Sequence, residues 1–302
     1  MYRYKRILVN LQLDDGDLQL IQHAAAISKM AQSEKIYLFY SEPKMDIPAS
    51  LIMEYPQLSE SVADYARKKI QENLEKVFDD TNKLEQVILI QEGQTLDEIL
   101  KQARINGIDL IITGVSEENS LSHGLAIKLA RKAPCSVLVA PEKAPLNLEK
   151  PAVAVDFSDY SADAMDAALA FTRAAEGSEL KTVNVCQVPS GYYKTGKSFD
   201  EFTEIMENHA VQNMEEFKKR FNLENIRITA YYYHDSKVVE ALTRAIHEHG
   251  ITFMAVGARG RSAGTAVMLG SVSEHLIKNI NIPLLAVKKK GTGLSILEAI
   301  FS

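Results

Sequence analysis

Short apolar runs rich in β-branched residues alternate along the chain with longer stretches whose apolar residues recur every three to four positions. The runs predict strands near 6–11, 35–40, 85–90, 109–114 and 136–140. The stretches between them predict helices near 17–32, 57–80, 95–106 and 121–132. The order then begins again, with strands near 151–156, 180–186, 226–232, 252–257 and 283–288 and helices near 160–176, 199–221, 236–249 and 271–280. Parallel neighbours need a crossover, and a helix is the usual one, so this alternation reads as βαβ units on a parallel sheet. One α/β fold is written twice.

Residue identities repeat as well. Ala103-Arg-Ile-Asn-Gly107-Ile-Asp-Leu-Ile-Ile-Thr-Gly114 corresponds to Ala245-Ile-His-Glu-His-Gly250-Ile-Thr-Phe-Met-Ala-Val-Gly257. Gly107 and Gly250 fall where a helix ends and a left-handed residue is needed. Each half closes on a β-rich tail, Cys135-Ser-Val-Leu-Val-Ala and Ile282-Pro-Leu-Leu-Ala-Val. Between them the polar segment from Pro141 to Pro151 reads as a linker, which predicts domains of residues 1–145 and 146–302. The segment Leu294-Ser-Ile-Leu-Glu-Ala-Ile-Phe301 has no counterpart after the first repeat; a short amphipathic helix and a loosely held terminus are both open readings.

A chain of 302 residues, 46% hydrophobic, is long enough for two cores of ordinary size. Its formal net charge of −6 argues against a surface built for a nucleic-acid backbone, which needs a concentrated basic patch. No run approaches the roughly 20 apolar residues of a membrane span. The N-terminus, MYRYKRILVN, leads straight into a strand rather than a signal-peptide core, so a cytoplasmic protein is expected. Cys135 and Cys186 are far apart and form neither a disulfide framework nor a zinc spacing. Cys186 reads as a small buried hydrophobe, His275 as structural, and His209, His247 and His249 as solvated helix positions.

Candidate chemistry gathers after the strand Phe253-Met-Ala-Val. There the chain reads Gly257-Ala-Arg259-Gly260-Arg261-Ser-Ala-Gly-Thr-Ala-Val-Met-Leu-Gly270-Ser271-Val272-Ser273-Glu274-His275 and enters a helix. Ligands bind at the C-terminal ends of parallel strands, where loops carry the contacts. Gly257 and Gly260 suit unusual dihedrals and close approach of main-chain N–H groups to an anion. Gly270 and Ser271 begin a helix whose unpaired N–H groups and dipole favour phosphate, and Arg259 and Arg261 add charge. Ser271 with Glu274 also spells a capping box, which would explain both residues without a ligand.

The spacing Gly257-x-x-Gly260-x(9)-Gly270-Ser271, followed by Val-Ser-Glu-His and the Pro-Leu-Leu-Ala-Val strand, resembles the ATP-binding signature of the universal stress protein family. The stretch Ala152-Val-Ala-Val-Asp156-Phe-Ser158-Asp-Tyr-Ser161 resembles that family's first strand and its acidic nucleotide contact. The likeness covers both halves. It implies two tandem doubly wound five-stranded parallel sheets of order 3-2-1-4-5, with ATP between the first and fourth strands. Ala154, Val155 and Asp156 would meet adenine and ribose, with Val185 near the base. Gly257, Arg259, Gly260, Gly270, Ser271, Val272 and Ser273 would hold the phosphates, with Mg²⁺ as a possible bridge between phosphate oxygens. It further implies dimerisation through the fifth strand, so that Val137-Leu-Val and Leu284-Leu-Ala would pair within one chain, and a homodimer of chains is an open expectation.

The first half departs from that signature. Its equivalent stretch is Thr113-Gly114-Val-Ser-Glu117-Glu118-Asn-Ser-Leu-Ser-His123-Gly124. Aligning the closing strands puts His123-Gly124 opposite Gly270-Ser271 and leaves the loop about four residues shorter. Glu117 and Glu118 put carboxylates where a phosphate needs donors, and Gln12 stands opposite Asp156. ATP is therefore expected in the second domain only. The chain carries no Gly-x-x-x-x-Gly-Lys-Ser/Thr loop and no kinase motif set, so a binding module for stress response or signalling is expected rather than an enzyme. A weak ATPase or autophosphorylating switch using Ser271 or Ser273, and a nucleotide-independent scaffold, are the alternatives. Helix 57–80 and loop 188–198 are candidate partner or lid surfaces.

Overall fold

The computed structural model describes residues 4–42, 49–55, 61–79, 84–116, 118–259 and 269–288. The chain divides between Lys143 and Ala144 into two compact units. The N-terminal unit runs β1 (Arg6–Asn10), α1 (Asp17–Ala31), β2 (Lys35–Glu42), α2 (Ala49–Glu54), α3 (Val62–Val77), β3 (Glu85–Glu92), α4 (Thr95–Ile105), β4 (Leu110–Val115), α5 (Ser120–Lys132) and β5 (Ser136–Pro141). Its strands pair in parallel in the order β3-β2-β1-β4-β5.

The C-terminal unit repeats the plan with β6 (Pro151–Ala154), α6 (Asp159–Ala174), β7 (Glu179–Cys186), α7 (Phe199–Lys218), β8 (Arg227–His234), α8 (Val238–Glu248), β9 (Phe253–Gly257), α9 (Ser271–Asn279) and β10 (Leu284–Val287). Its order is β8-β7-β6-β9-β10, again all parallel. Both units therefore have the expected 3-2-1-4-5 arrangement, and each reverses direction between its first and fourth strands. The C-terminal ends of those two strands diverge there, which leaves a crevice.

Burial explains why the pattern was readable. Ile7, Leu8 and Val9 in β1, and Phe253 through Val256 in β9, are enclosed on both faces, as central parallel strands are. The outer strands β3 and β8 are only half buried along their middles. In α1 the buried apolar residues are Leu20, Ile21, Ala24, Ile27 and Ala31, one face of a 3.6-residue helix.

Helix ends repeat with the same fidelity. Gly107 has φ +60° and Gly250 φ +56°. Ile108 N donates to Ala103 O and Ile251 N to Ile246 O, both at 2.9 Å, closing a Schellman motif after α4 and after α8.

Two expectations change. The single helix expected at 57–80 is α3 alone, over Val62–Val77, and a separate short helix, α2, lies before it at Ala49–Glu54. Most of α2's large apolar side chains face outward, Met53 being 86% exposed, so α2 carries no periodic stripe for the sequence to show. In the 188–198 stretch the chain forms a 3₁₀ turn at Tyr192–Thr195, where Tyr192 packs edge-on against Phe199 at 5.6 Å. The 294–301 segment lies outside the described residues.

Candidate functional site

The first βα turn of each unit holds a bulky residue in the left-handed region, Leu13 at φ 61° and Phe157 at φ 64°. Such a residue costs about 1–3 kcal/mol and persists only where its surroundings enforce it. In the C-terminal unit the Asp156 carboxylate provides that enforcement, accepting from Ser158 N at 3.0 Å and Ser158 Oγ at 2.5 Å. Ser158 Oγ in turn accepts from Ser161 N at 3.2 Å and caps α6. Asn184, buried in β7, donates from Nδ2 to Val155 O at 2.7 Å. Asp156 thus forms the turn, and it also lines the crevice.

Above the C-terminal ends of β6, β7 and β9 lies a cavity of about 960 Å³. Ala154, Val155, Asp156, Val185, Gly257, Arg259, Gly270, Ser271, Val272 and Ser273 all line it. Gly260 and Arg261 lie outside the described residues.

The reason for Gly257 differs from the unusual dihedral expected. Gly257 is not in the left-handed region. A Cβ there would lie 2.8 Å from the backbone C and O of Tyr160 and 2.9 Å from Arg259 O, so glycine is needed to let the loop pack against the start of α6. Gly257→Ala is expected to destabilise the C-terminal unit by about 1–3 kcal/mol, since backbone cannot move aside as a side chain can. Gly114→Ala in the first unit meets only the Leu20 side chain, at 3.3 Å, and is expected to cost clearly less. Urea unfolding midpoints of the two variants would show this; equal midpoints would refute the packing explanation.

The capping box expected at Ser271 and Glu274 does not form. Gly270 is the N-cap of α9, at φ −62° and ψ 139°, and it supplies no side-chain hydrogen bond. Ser271 is inside the helix, Ser273 Oγ donates to Gly257 O at 2.8 Å, and Glu274 pairs with Lys278 at 3.2 Å. Among the described residues no side chain caps α9, whose first turn therefore presents its N–H groups to the cavity, the arrangement that favours an anion.

Arg259 is half buried beside this helix start. Its Nη1 lies 3.3 Å from Tyr160 Oη, and its guanidinium carbon is 5.7 Å from the Tyr160 ring centroid. His275 also lines the cavity, with Nδ1 2.8 Å from Ser271 O. A carbonyl only accepts, so Nδ1 carries the proton in that contact. His249, expected to be solvated, instead stacks on Tyr231 at 3.6 Å between centroids and lies 3.0 Å from Tyr233 Oη.

Several lining residues escaped the sequence reading, namely Ser161, Val183, Asn184, Gln187, Ser236 to Glu240 and Leu242. Asn184 left a signal, a polar residue inside the buried run from Leu180 to Cys186. Ser161 comes from the first turn of α6, Val183 and Gln187 from β7 and its end, and Ser236 to Glu240 and Leu242 from the β8–α8 connection and the start of α8. Cys186 is buried, and that burial pushes its thiol up from the ordinary range.

The N-terminal unit places different residues at the matching positions. Asn10, Gln12, Asp17, Tyr40 and Thr113 stand where the other unit has Ala154, Asp156, Ser161, Asn184 and Val256. Asn10 Nδ2 donates to Thr113 Oγ1 at 3.2 Å in the floor of the crevice. The Asp17 carboxylate, 1% exposed, accepts from Gln12 N at 2.9 Å and Leu13 N at 2.8 Å. Burial, above all, raises Asp17 to about 6.

The closing-strand alignment also shifts. The chain crosses from β4 to α5 through 116–119 alone, whereas β9 and α9 are joined by 258–270. The helix starts with Asn119, whose side chain accepts from Leu121 N at 3.1 Å. Asn119 stands opposite Gly270, and His123-Gly124 fall inside an extra helical turn. Glu117 lies outside the described residues.

Fold and site together define a tandem pair of doubly wound α/β units with an anion-ready helix start at the switch point of the second. The chain belongs to the universal stress protein family, whose family model matches residues 3–141 and 149–288. It is 30% identical over 143 residues to universal stress protein YxiE of Bacillus subtilis, covering 45% of this chain and 96% of the relative. A universal stress protein structure from Archaeoglobus fulgidus covers 95% of this chain and 99% of that one, with TM-score 0.64 and 17% identity, a likeness of fold. A universal stress protein solved in complex with cAMP aligns with 46% of this chain and 97% of its own, at 14% identity and TM-score 0.34. Among the described residues, no helix is long and apolar enough to cross a membrane.

Proposed function

We propose that the C-terminal unit binds ATP and that the N-terminal unit does not, so that the protein acts as a cytoplasmic stress-response or signalling module whose state follows nucleotide occupancy. The observation that carries this reading is the start of α9, which Gly270 leaves without a side-chain cap and which opens with Arg259 onto a cavity of about 960 Å³ that valines and Leu242 also line. That volume lies within the range of small-molecule sites. The phosphates would take the N–H groups of Ser271, Val272 and Ser273, and the ribose would lie against Asp156. Among the described residues no three His, Cys, Asp or Glu side chains gather as a metal site, so Mg²⁺ would enter on the phosphates.

Two differences oppose ATP in the first unit. The buried Asp17 carboxylate already takes the turn's N–H groups and would repel a phosphate or a ribose-bound anion. The Asn119 side chain already closes the start of α5.

Calorimetric titration of the full chain with ATP, with and without Mg²⁺, is expected to give one site per chain. Two sites would overturn the assignment to the second unit alone, and no site would favour a nucleotide-independent scaffold.

A further inference from the structure

The first unit gathers its exposed apolar side chains at one end. Among its described residues six large apolar side chains stand exposed, and five of them, Leu51, Met53, Tyr55, Tyr65 and Leu121, lie on connections or helix starts beyond the C-terminal ends of the strands. Ile105, at the far end of α4, is the exception. Scattered singly such residues need no explanation, but gathered on one face they mark an interaction surface.

Hydrogen bonds tie this face together around the β1–α1 turn. Asn119 Nδ2 donates to Gln12 Oε1 at 3.4 Å, which holds the start of α5, and with it Leu121, on one side of Leu13. Lys69 Nζ donates to Leu13 O at 2.7 Å, and Tyr65 stands one turn before Lys69 on the same side of α3. The rim is acidic. Asp14, Asp15, Glu118 and Glu142 are exposed at this end, Glu142 beside Gly16, and no ion pair neutralises them among the described residues. With Asn119 opposite Gly270, Leu121 takes the position of Val272, which lines the second unit's cavity; here it is 82% exposed.

The second unit's connection after β7 is built otherwise. Contrary to the expectation from sequence, Gly191-Tyr-Tyr-Lys-Thr-Gly196-Lys197-Ser198 does spell Gly-x-x-x-x-Gly-Lys-Ser. A capping box nevertheless closes the start of α7, with Ser198 N donating to Glu201 Oε2 at 2.8 Å and Glu201 N to Ser198 Oγ at 3.2 Å, so the stretch is a helix start rather than a phosphate cradle.

We propose that the strand-end face of the first unit docks a basic amphipathic helix of a partner protein, whose apolar side covers Leu121 and Tyr65 while its lysines or arginines meet the acidic rim. This role is independent of nucleotide in the second unit.

The probe is a dye-labelled amphipathic Leu/Lys peptide, with a Leu/Glu peptide of the same pattern as control, titrated against the full chain by fluorescence anisotropy. The Leu/Lys peptide is expected to bind at least about 10-fold more tightly than the control, and Leu121→Ser to weaken it about 10-fold. The double variant Asp15→Asn with Glu118→Gln is expected to flatten the salt dependence of binding. Ile105→Ser, exposed at the opposite end, is expected to change nothing. Equal loss in Ile105→Ser, equal binding of the two peptides, or binding of neither overturns the proposal. Displacement of the peptide by ATP also overturns it, by placing the peptide in the second unit's cavity. A wild-type dimer that Leu121→Ser dissolves would put a second copy on this face instead of the basic helix, which overturns it as well.

Discussion

Gly270→Asp is expected to lower ATP affinity at least about 100-fold while leaving α9 as stable as before or slightly more so. The N-cap geometry at φ −62° and ψ 139° is one that an ordinary L residue adopts, and Gly270 gives α9 no side-chain cap. Aspartate is among the best N-cap residues, a few tenths of a kcal/mol better than glycine. Its carboxylate would take the N–H groups of Ser271 to Ser273 that the phosphates need. Two like charges about 4 Å apart at a partly exposed site repel by about 4 kcal/mol, and a smaller effective value still corresponds to about 100-fold. Binding and stability thus move in opposite directions. Titration beside thermal unfolding would show it, and an ATP affinity left unchanged would place the phosphates away from α9.

The first unit carries the natural version of that substitution. Asn119 closes the start of α5 there, while Asp17 supplies an internal anion to the first βα turn. The sequence showed part of this, in the acidic pair at Glu117 and Glu118 and in Gln12, but not the two residues whose contacts settle the geometry. Asp17 reads in sequence as an acidic residue opening a helix, since nothing local says that its side chain turns back onto Gln12 and Leu13. Asn119 was hidden because the closing strands gave the alignment, whereas α5 begins a turn earlier than that alignment implied.

The same division runs through the second unit. Strand and helix positions were legible because period and burial act locally, and Gly107 and Gly250 because a left-handed cap has a residue signature. Gly257 was legible as a required glycine but for a different cause: its constraint is the Tyr160 backbone, brought close by the packing of β9 on α6. Gln187, Ser236 and Asn184 meet at the cavity only through the β7–β8 and β8–α8 connections, a juxtaposition no spacing encodes.

The buried Asp17 predicts an unusual pH response. Its folded-state value, raised from 3.8 to about 6 chiefly by burial, with Asp14 adding and the Gln12 and Leu13 N–H groups and Lys69 opposing, means that the folded N-terminal unit binds a proton more readily than the unfolded chain. Its contribution to stability is therefore fully present below about pH 4 and lost as pH rises through about 6. The rise corresponds to about 3 kcal/mol at neutral pH. Most carboxylates act in the opposite sense, so other groups will mask this trend in the wild type alone. The difference between wild type and Asp17→Asn isolates it. Relative to the variant, the wild-type unit is expected to gain about 2 kcal/mol between pH 7 and pH 4, read from urea unfolding with hydrogen exchange on peptides of β1 and α1. The asparagine loses one of the two N–H bonds at every pH, which offsets the difference without changing its slope. Parallel pH profiles for the two proteins would show that burial does not raise the Asp17 carboxyl above its unfolded-chain value.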